Sequence, residues 1–161
     1  MERKPYDVLA EPRGATYRRL IDASRQYCDS FLLVDQPGWP LLNDRAHALL
    51  EALTPFLISK REAWDWPGTS IQGGDKAATI YSFRLVDESM RILKEGVEGL
   101  YDWDSPNCPS DLTLLRPDGT PWLVTIMPDR EAFLELSLEE LDLLKRENPD
   151  IVLVEAENEG S

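Results

Sequence analysis

The sequence predicts an α+β fold, with a mixed or antiparallel sheet, about four helices and a central β-hairpin at 111–127. Three observations lead there. Apolar positions recur at helical spacing in some segments and alternate or run continuously in others, without a regular βαβ order. Arg116-Pro117-Asp118-Gly119 carries clear turn chemistry between two β-like runs. Helix start signals precede amphipathic stretches at Asn43 or Asp44 and at Ser137.

The hairpin is the best-specified element. Pro117 pre-sets φ near −65° for the first central position of a type I turn, Asp118 suits the second, and Gly119 takes positive φ without steric cost. If Arg116 pairs with Thr120, Leu114 faces Trp122 and Leu112 faces Val124, while Leu115, Leu123 and Met127 share the opposite face. A hairpin apolar on both faces belongs inside a sheet or under cover on both sides.

The rest follows in chain order. Residues 1–13 are polar with two prolines and read as an irregular arm. Tyr17, Leu20, Ile21, Ala23, Tyr27 and Cys28 make one stripe of a helix over Ala15–Cys28, with Thr16 as its cap. Ser30–Asp35 is a continuous apolar run and reads as a buried strand. Pro37-Gly38-Trp39-Pro40 breaks the chain, and a helix carrying Ala46, Leu49, Leu50 and Leu53 then runs to the stop imposed by Pro55. Phe56–Ala63 reads as a strand, Trp64–Gly74 as a long loop, and Ala77–Leu85 as a further strand. Asp87 is expected to cap a short helix through Lys94, with Gly96 as its stop. Ala132–Leu136 is a strand. Ser137 and Glu140 form a capping box for a helix ending near Asn148-Pro149, and Asp150–Glu155 is the last strand. Residues 1–155 are thus expected to form a single domain, with 156–161 a frayed acidic tail.

Charge is uneven. The net charge is −13; residues 1–80 carry 10 Lys and Arg against 11 Asp and Glu, and residues 81–161 carry 7 against 19. Such a field repels nucleic-acid phosphates and anionic membranes and speeds encounter with a basic protein partner. No run approaches the roughly 18 apolar residues of a membrane span. Met1-Glu2-Arg3-Lys4-Pro5 has no apolar core, so no signal peptide and a cytoplasmic location are expected. Cys28 and Cys108, the two cysteines, lie far apart in different contexts and read as free thiols, with a single disulfide as the less favoured alternative.

Catalytic and metal signatures are weak. His47 is the one histidine and falls with Asn43 and Glu51 on a polar helix face, so neither a nucleophilic triad nor a zinc set is expected, and no cofactor is called for. Gly73-Gly74-Asp75-Lys76 lacks the pattern of a phosphate loop. The aromatic set stands out instead. Trp39, Trp64, Trp66 and Trp103 lie beside prolines or acids in expected loops, where tryptophan can anchor an interface and acids can steer a partner. The candidate partner-binding set is Trp103, Asp102, Asp104, Trp64, Trp66, Asp129 and Glu131. The alternative is a small-ligand-binding protein or enzyme, with a pocket between the 64–74 loop and the central hairpin.

The block Leu100-Tyr101-Asp102-Trp103, Pro109-Ser110-Asp111-Leu112 and Leu115–Ile126 resembles a pattern in small uncharacterised bacterial proteins, a likeness that implies no activity. In size, acidity and α+β composition the chain is also similar to bacterial immunity proteins, which neutralise toxin domains by binding them. That resemblance implies a binding module that occludes a basic toxin, and a non-catalytic role.

Overall fold

The computed structural model describes residues 2–38 and 40–156. It shows an α+β architecture with eight strands in one antiparallel sheet, a separate small hairpin and four helices. The strands are β1 (Lys4–Val8), β2 (Ser30–Asp35), β3 (Leu57–Ala63), β4 (Asp65–Trp66), β5 (Thr69–Ser70), β6 (Ala78–Arg84), β7 (Ser110–Leu115), β8 (Pro121–Ile126), β9 (Glu131–Leu136) and β10 (Leu153–Glu155). The helices are α1 (Ala15–Ser24), α2 (Asp44–Leu53), α3 (Asp87–Glu95) and α4 (Leu138–Glu147). The sheet order is β10-β1-β9-β8-β7-β2-β6-β3, with β4 and β5 pairing apart.

All four helices contribute to a core on one face of the sheet. Leu20 and Ile21 of α1, Leu53 of α2, Leu93 of α3 and Leu144 of α4 meet Phe31, Leu33, Phe83, Leu112, Leu114, Leu123 and Leu134 of the strands. The other face is covered over β2 and β6 by the β4–β5 hairpin. There Trp66 packs on Leu32, Val34, Ala78 and Ile80.

Local sequence explains several helix boundaries. Asn43 Oδ1 accepts from Ala46 N at 3.1 Å and starts α2. Ser137 Oγ accepts from Glu140 N at 3.2 Å while Glu140 Oε1 accepts from Ser137 N at 2.8 Å, the reciprocal box expected for α4. Gly96 closes α3 as expected, but Val86 precedes that helix where Asp87 was expected; its N–H donates to Ser89 Oγ at 2.9 Å. The cap of α1 also differs: Gly14, at φ 58°, and not Thr16, stands before the first turn. Asp22, Ala23 and Ser24 carbonyls accept from Arg25, Gln26 and Tyr27, so α1 ends in a turn before Cys28.

Three expectations require correction. Residues 1–13 are not all irregular, because β1 lies between β9 and β10 with Lys4 opposite Leu136 and Tyr6 opposite both Leu134 and Glu155. Its own signal is only the alternation of Tyr6 and Val8 among charged residues, and its place is set by its neighbours. Residues 64–74 are not an unstructured loop, since Trp66 and Thr69 pair across the β4–β5 turn. The hairpin register also shifts: Leu114 faces Leu123, Thr113 faces Val124 and Leu115 faces Pro121, with a bulge between. The turn itself closes as expected, Arg116 N donating to Thr120 O at 2.8 Å. Pro121 has no N–H for the ladder, and the bulge beside it moves Leu123 onto the helix-covered face.

Candidate functional site

Pairing places one end of each main strand along a common rim. Ala63 ends β3 opposite Ala78, which begins β6; Asp35 ends β2 opposite Thr79; Val34 faces Ser110 at the start of β7; and Ile126 at the end of β8 faces Glu131 at the start of β9. The segment 100–108 leads into β7 and joins this rim through Asp104, which lines a cleft with Gln36, Pro37, Ser105 and Pro128. The rim therefore collects Trp64, Asp104, and the pair Asp129 and Glu131 from three separate stretches of sequence.

The candidate residues differ in availability. Trp103 is fully buried. Its indole N–H donates to Tyr17 Oη at 2.9 Å, and that hydroxyl donates to Leu93 O at 2.5 Å, so Trp103 joins the 100–104 turn to α1 and α3. Burial pushes the Tyr17 hydroxyl up, which keeps it a neutral donor. Trp103 is a core residue and not the exposed anchor expected of it. Trp66 is also buried, on the back of the sheet. Trp64 is 47% exposed and is available at the rim.

Asp102 is occupied internally. Its carboxylate accepts from Arg13 at 3.1 and 3.3 Å and from the backbone N–H groups of Glu98 and Gly99 at 3.1 and 3.0 Å. Burial pulls its pKa up, but the Arg13 and backbone hydrogen bonds prevail and hold it below the usual aspartate value. Glu11 extends the network: it accepts from Arg13 at 2.7 Å, from Arg130 at 2.9 Å and from Tyr101 N at 3.0 Å. Arg130 also lies over the Tyr101 ring at 5.3 Å. These contacts pin the N-terminal arm and the 127–131 turn to the 100–102 turn.

Asp104, Asp129 and Glu131 remain. None forms an ion pair with a described residue. Asp129 and Glu131 are exposed, and Asp104 is half-buried between two clefts of about 150 and 480 Å³. Burial pushes the Asp104 carboxyl up, opposed by the Ser105 N–H and by Arg130. A larger open cleft of about 760 Å³ lies farther along the rim, with Asp35, Glu62, Trp64, Asp75 and Lys76 in its walls. Asp35 is likewise pushed up by burial.

Asp111 organises the rim from beneath and was not among the expected site residues. It is fully buried at φ 57°, a left-handed conformation uncommon for a residue with a side chain. One carboxylate oxygen accepts from Met127 N at 2.9 Å and Gln36 Nε2 at 3.2 Å, and the other from Trp66 Nε1 at 2.8 Å. Burial pushes its pKa up, opposed by the hydrogen bonds from the Trp66 indole and the Met127 N–H. The residue ties β7 to the end of β8, to the loop after β2 and to the β4–β5 hairpin.

The region between that hairpin and the central one is filled. Trp66 occupies it, and a Cβ added at Gly68 would sit 2.7 Å from Val124 Cγ1 and 3.0 Å from Ile126 Cγ1. The ligand pocket expected there is therefore replaced by direct packing. Among the described residues no group of three or more His, Cys, Asp and Glu is arranged to hold a metal ion. Both cysteines are buried free thiols, and burial pushes Cys28 up to about 12. No described helix is long and apolar enough to cross a membrane. No protein-family model, curated protein or solved structure matches the chain.

Proposed function

We propose that this chain is a protein-binding module that takes a basic partner at the strand-end rim, in the manner of an immunity protein occluding a toxin. The supporting observation is that Asp104, Asp129 and Glu131 lie along this rim with no ion pair to a described residue, Asp104 lining two clefts, one of them shared with Pro128 next to Asp129, and Glu131 lining another. Neighbouring carboxylates on Glu11 and Asp102 are already neutralised by Arg13 and Arg130, so the three free acids carry the local field. Long-range attraction would orient a cationic surface, and a Lys or Arg entering the cleft beside Asp104 would be partly desolvated there.

In this reading Trp103 acts as internal support, holding the 100–104 turn against α1 and α3. The protein works by occupancy and carries out no reaction, in a cytoplasmic and bacterial setting. The test compares partner retention by the native chain and by Asp104→Lys/Asp129→Lys/Glu131→Lys, each immobilised at moderate salt. Retention by the native chain and loss by the variant supports the reading; equal retention by both rejects this rim.

A further inference from the structure

We infer that β3 pairs edge to edge with β3 of a second copy, antiparallel about a two-fold axis at Arg61, to give a continuous sheet. β3 is the last strand of the eight-stranded order and pairs only with β6 among the described residues. It has seven residues, whereas the strand at the other edge, β10, has three. An outer strand of this length presents unused backbone donors and acceptors, a template for another strand.

The side chains choose the occupant. Beyond the bulge at the start of β3, Lys60 lies opposite Tyr81 and Glu62 opposite Thr79, so both point to the same face of the sheet. A two-fold at Arg61 sets Lys60 of each copy against Glu62 of the other, giving two reciprocal charge pairs. The same register sets Ser59 against Ala63, both small. At its two ends it brings Ile58 toward Trp64, which are 55% and 47% exposed in the single chain. Only Arg61 meets its own kind, on the opposite face.

Overall charge sharpens the choice. A chain of net charge −13 repels its copies everywhere except where local charge is compensated. The 57–63 segment carries Lys60 and Arg61 against Glu62 and is such a place. Lys and Arg on an edge ordinarily discourage pairing with arbitrary strands; a copy of the same strand in this register answers Lys60 with Glu62. The surface is isologous, so the assembly closes as a dimer.

This inference stands apart from the partner-binding reading. β3 and β9 are five strand spacings apart in the sheet order, roughly 24 Å, with Asp129 and Glu131 at the β9 side and Asp104 beside the β2–β7 ends between them, so none of the three free acids lies on the paired edge.

Sedimentation equilibrium of the full chain over a wide concentration range, together with a charge swap, provides the test. The native chain forms a dimer. Lys60→Glu alone and Glu62→Lys alone each weaken it about tenfold or more, because each sets like charges together on both sides of the axis. The double variant Lys60→Glu/Glu62→Lys restores it to within about twofold. Arg61→Cys supplies a second measurement: directly opposed residues have Cα atoms about 4.5–5.5 Å apart, within disulfide range, so mild oxidation yields a covalent dimer. A native chain that stays monomeric throughout overturns the inference. So does a dimer indifferent to the single and double swaps, or one that Arg61→Cys fails to cross-link.

Discussion

The indole N–H of Trp66 donates to Oδ2 of Asp111 at 2.8 Å, with both residues buried. This bond fastens the β4–β5 hairpin to the back of the sheet at the point where β7 begins. Asp111 also accepts from Met127 N and Gln36, so a single carboxylate fixes the ends of three strands and one turn. Replacing Asp111 with Ala leaves buried donors without an acceptor and should cost about 2–4 kcal/mol in urea unfolding. Asn tolerates the left-handed backbone and keeps one acceptor, so it should cost less. The sign of its pH dependence is fixed by burial, which raises the folded pKa. The folded state holds this proton more tightly than the unfolded chain, so the residue's contribution to stability falls as pH rises from the usual aspartate value through the raised one. Asp111→Asn should remove that slope from the stability–pH profile.

Arg116 and Glu140 give the opposite slope. Their paired oxygens and nitrogens lie 2.7 and 2.9 Å apart, and the side chains are only 6% and 12% exposed. Burial raises Glu140, but the hydrogen bonds from Arg116 and Ser137 prevail and lower its pKa. Its stabilisation is complete above the usual glutamate value and is lost as pH falls through the lowered one. Glu140→Gln leaves a buried guanidinium without its counter-charge and should cost about 3–5 kcal/mol at neutral pH. Denaturant titrations across acidic pH should also show a flatter profile for the variant.

Trp103→Ala should act on stability, because the side chain is fully enclosed and its N–H is bonded to Tyr17. A loss of about 3–5 kcal/mol in unfolding free energy is expected. Trp103→Phe retains much of the volume but strands the Tyr17 contact, so a smaller loss should follow. Neither substitution should reproduce the effect of removing the rim charges in a folded population.

Gly68 tests the covering hairpin separately. Its φ of 87° suits glycine, and an added Cβ would press on Val124 and Ile126. Gly68→Ala should destabilise by about 1–3 kcal/mol, with hydrogen exchange rising first across 64–72 and not in the helices.

Much of the fold was readable because its signals are local. Ser137 and Glu140 specify a helix start within four residues, Asn43 caps α2 through its own side chain, and Pro117-Asp118-Gly119 closes a turn without help from the rest of the chain. β1 was not readable, since Tyr6 and Val8 alone do not reveal that β9 and β10 lie on either side. The same limit governs the site. Asp102 and Asp104 stood out as acids flanking Trp103, with Asp129 and Glu131 as further acids of the set, yet exposure depends on distant partners: Arg13 engages Asp102, and Tyr17 holds Trp103 inside. Asp111 offered no local cue, because its bonds reach Gln36, Trp66 and Met127, 75, 45 and 16 positions away.

The central claim is that the free acids of the rim select a basic partner. Quantitative mass spectrometry of proteins retained from host extract, on the native chain and on Asp104→Lys/Asp129→Lys/Glu131→Lys, tests it most directly. The account predicts a basic protein held by the native chain at moderate salt and depleted on the variant, while circular dichroism shows both folded. Retention of the same proteins on both, or of none that moderate salt spares, would contradict it.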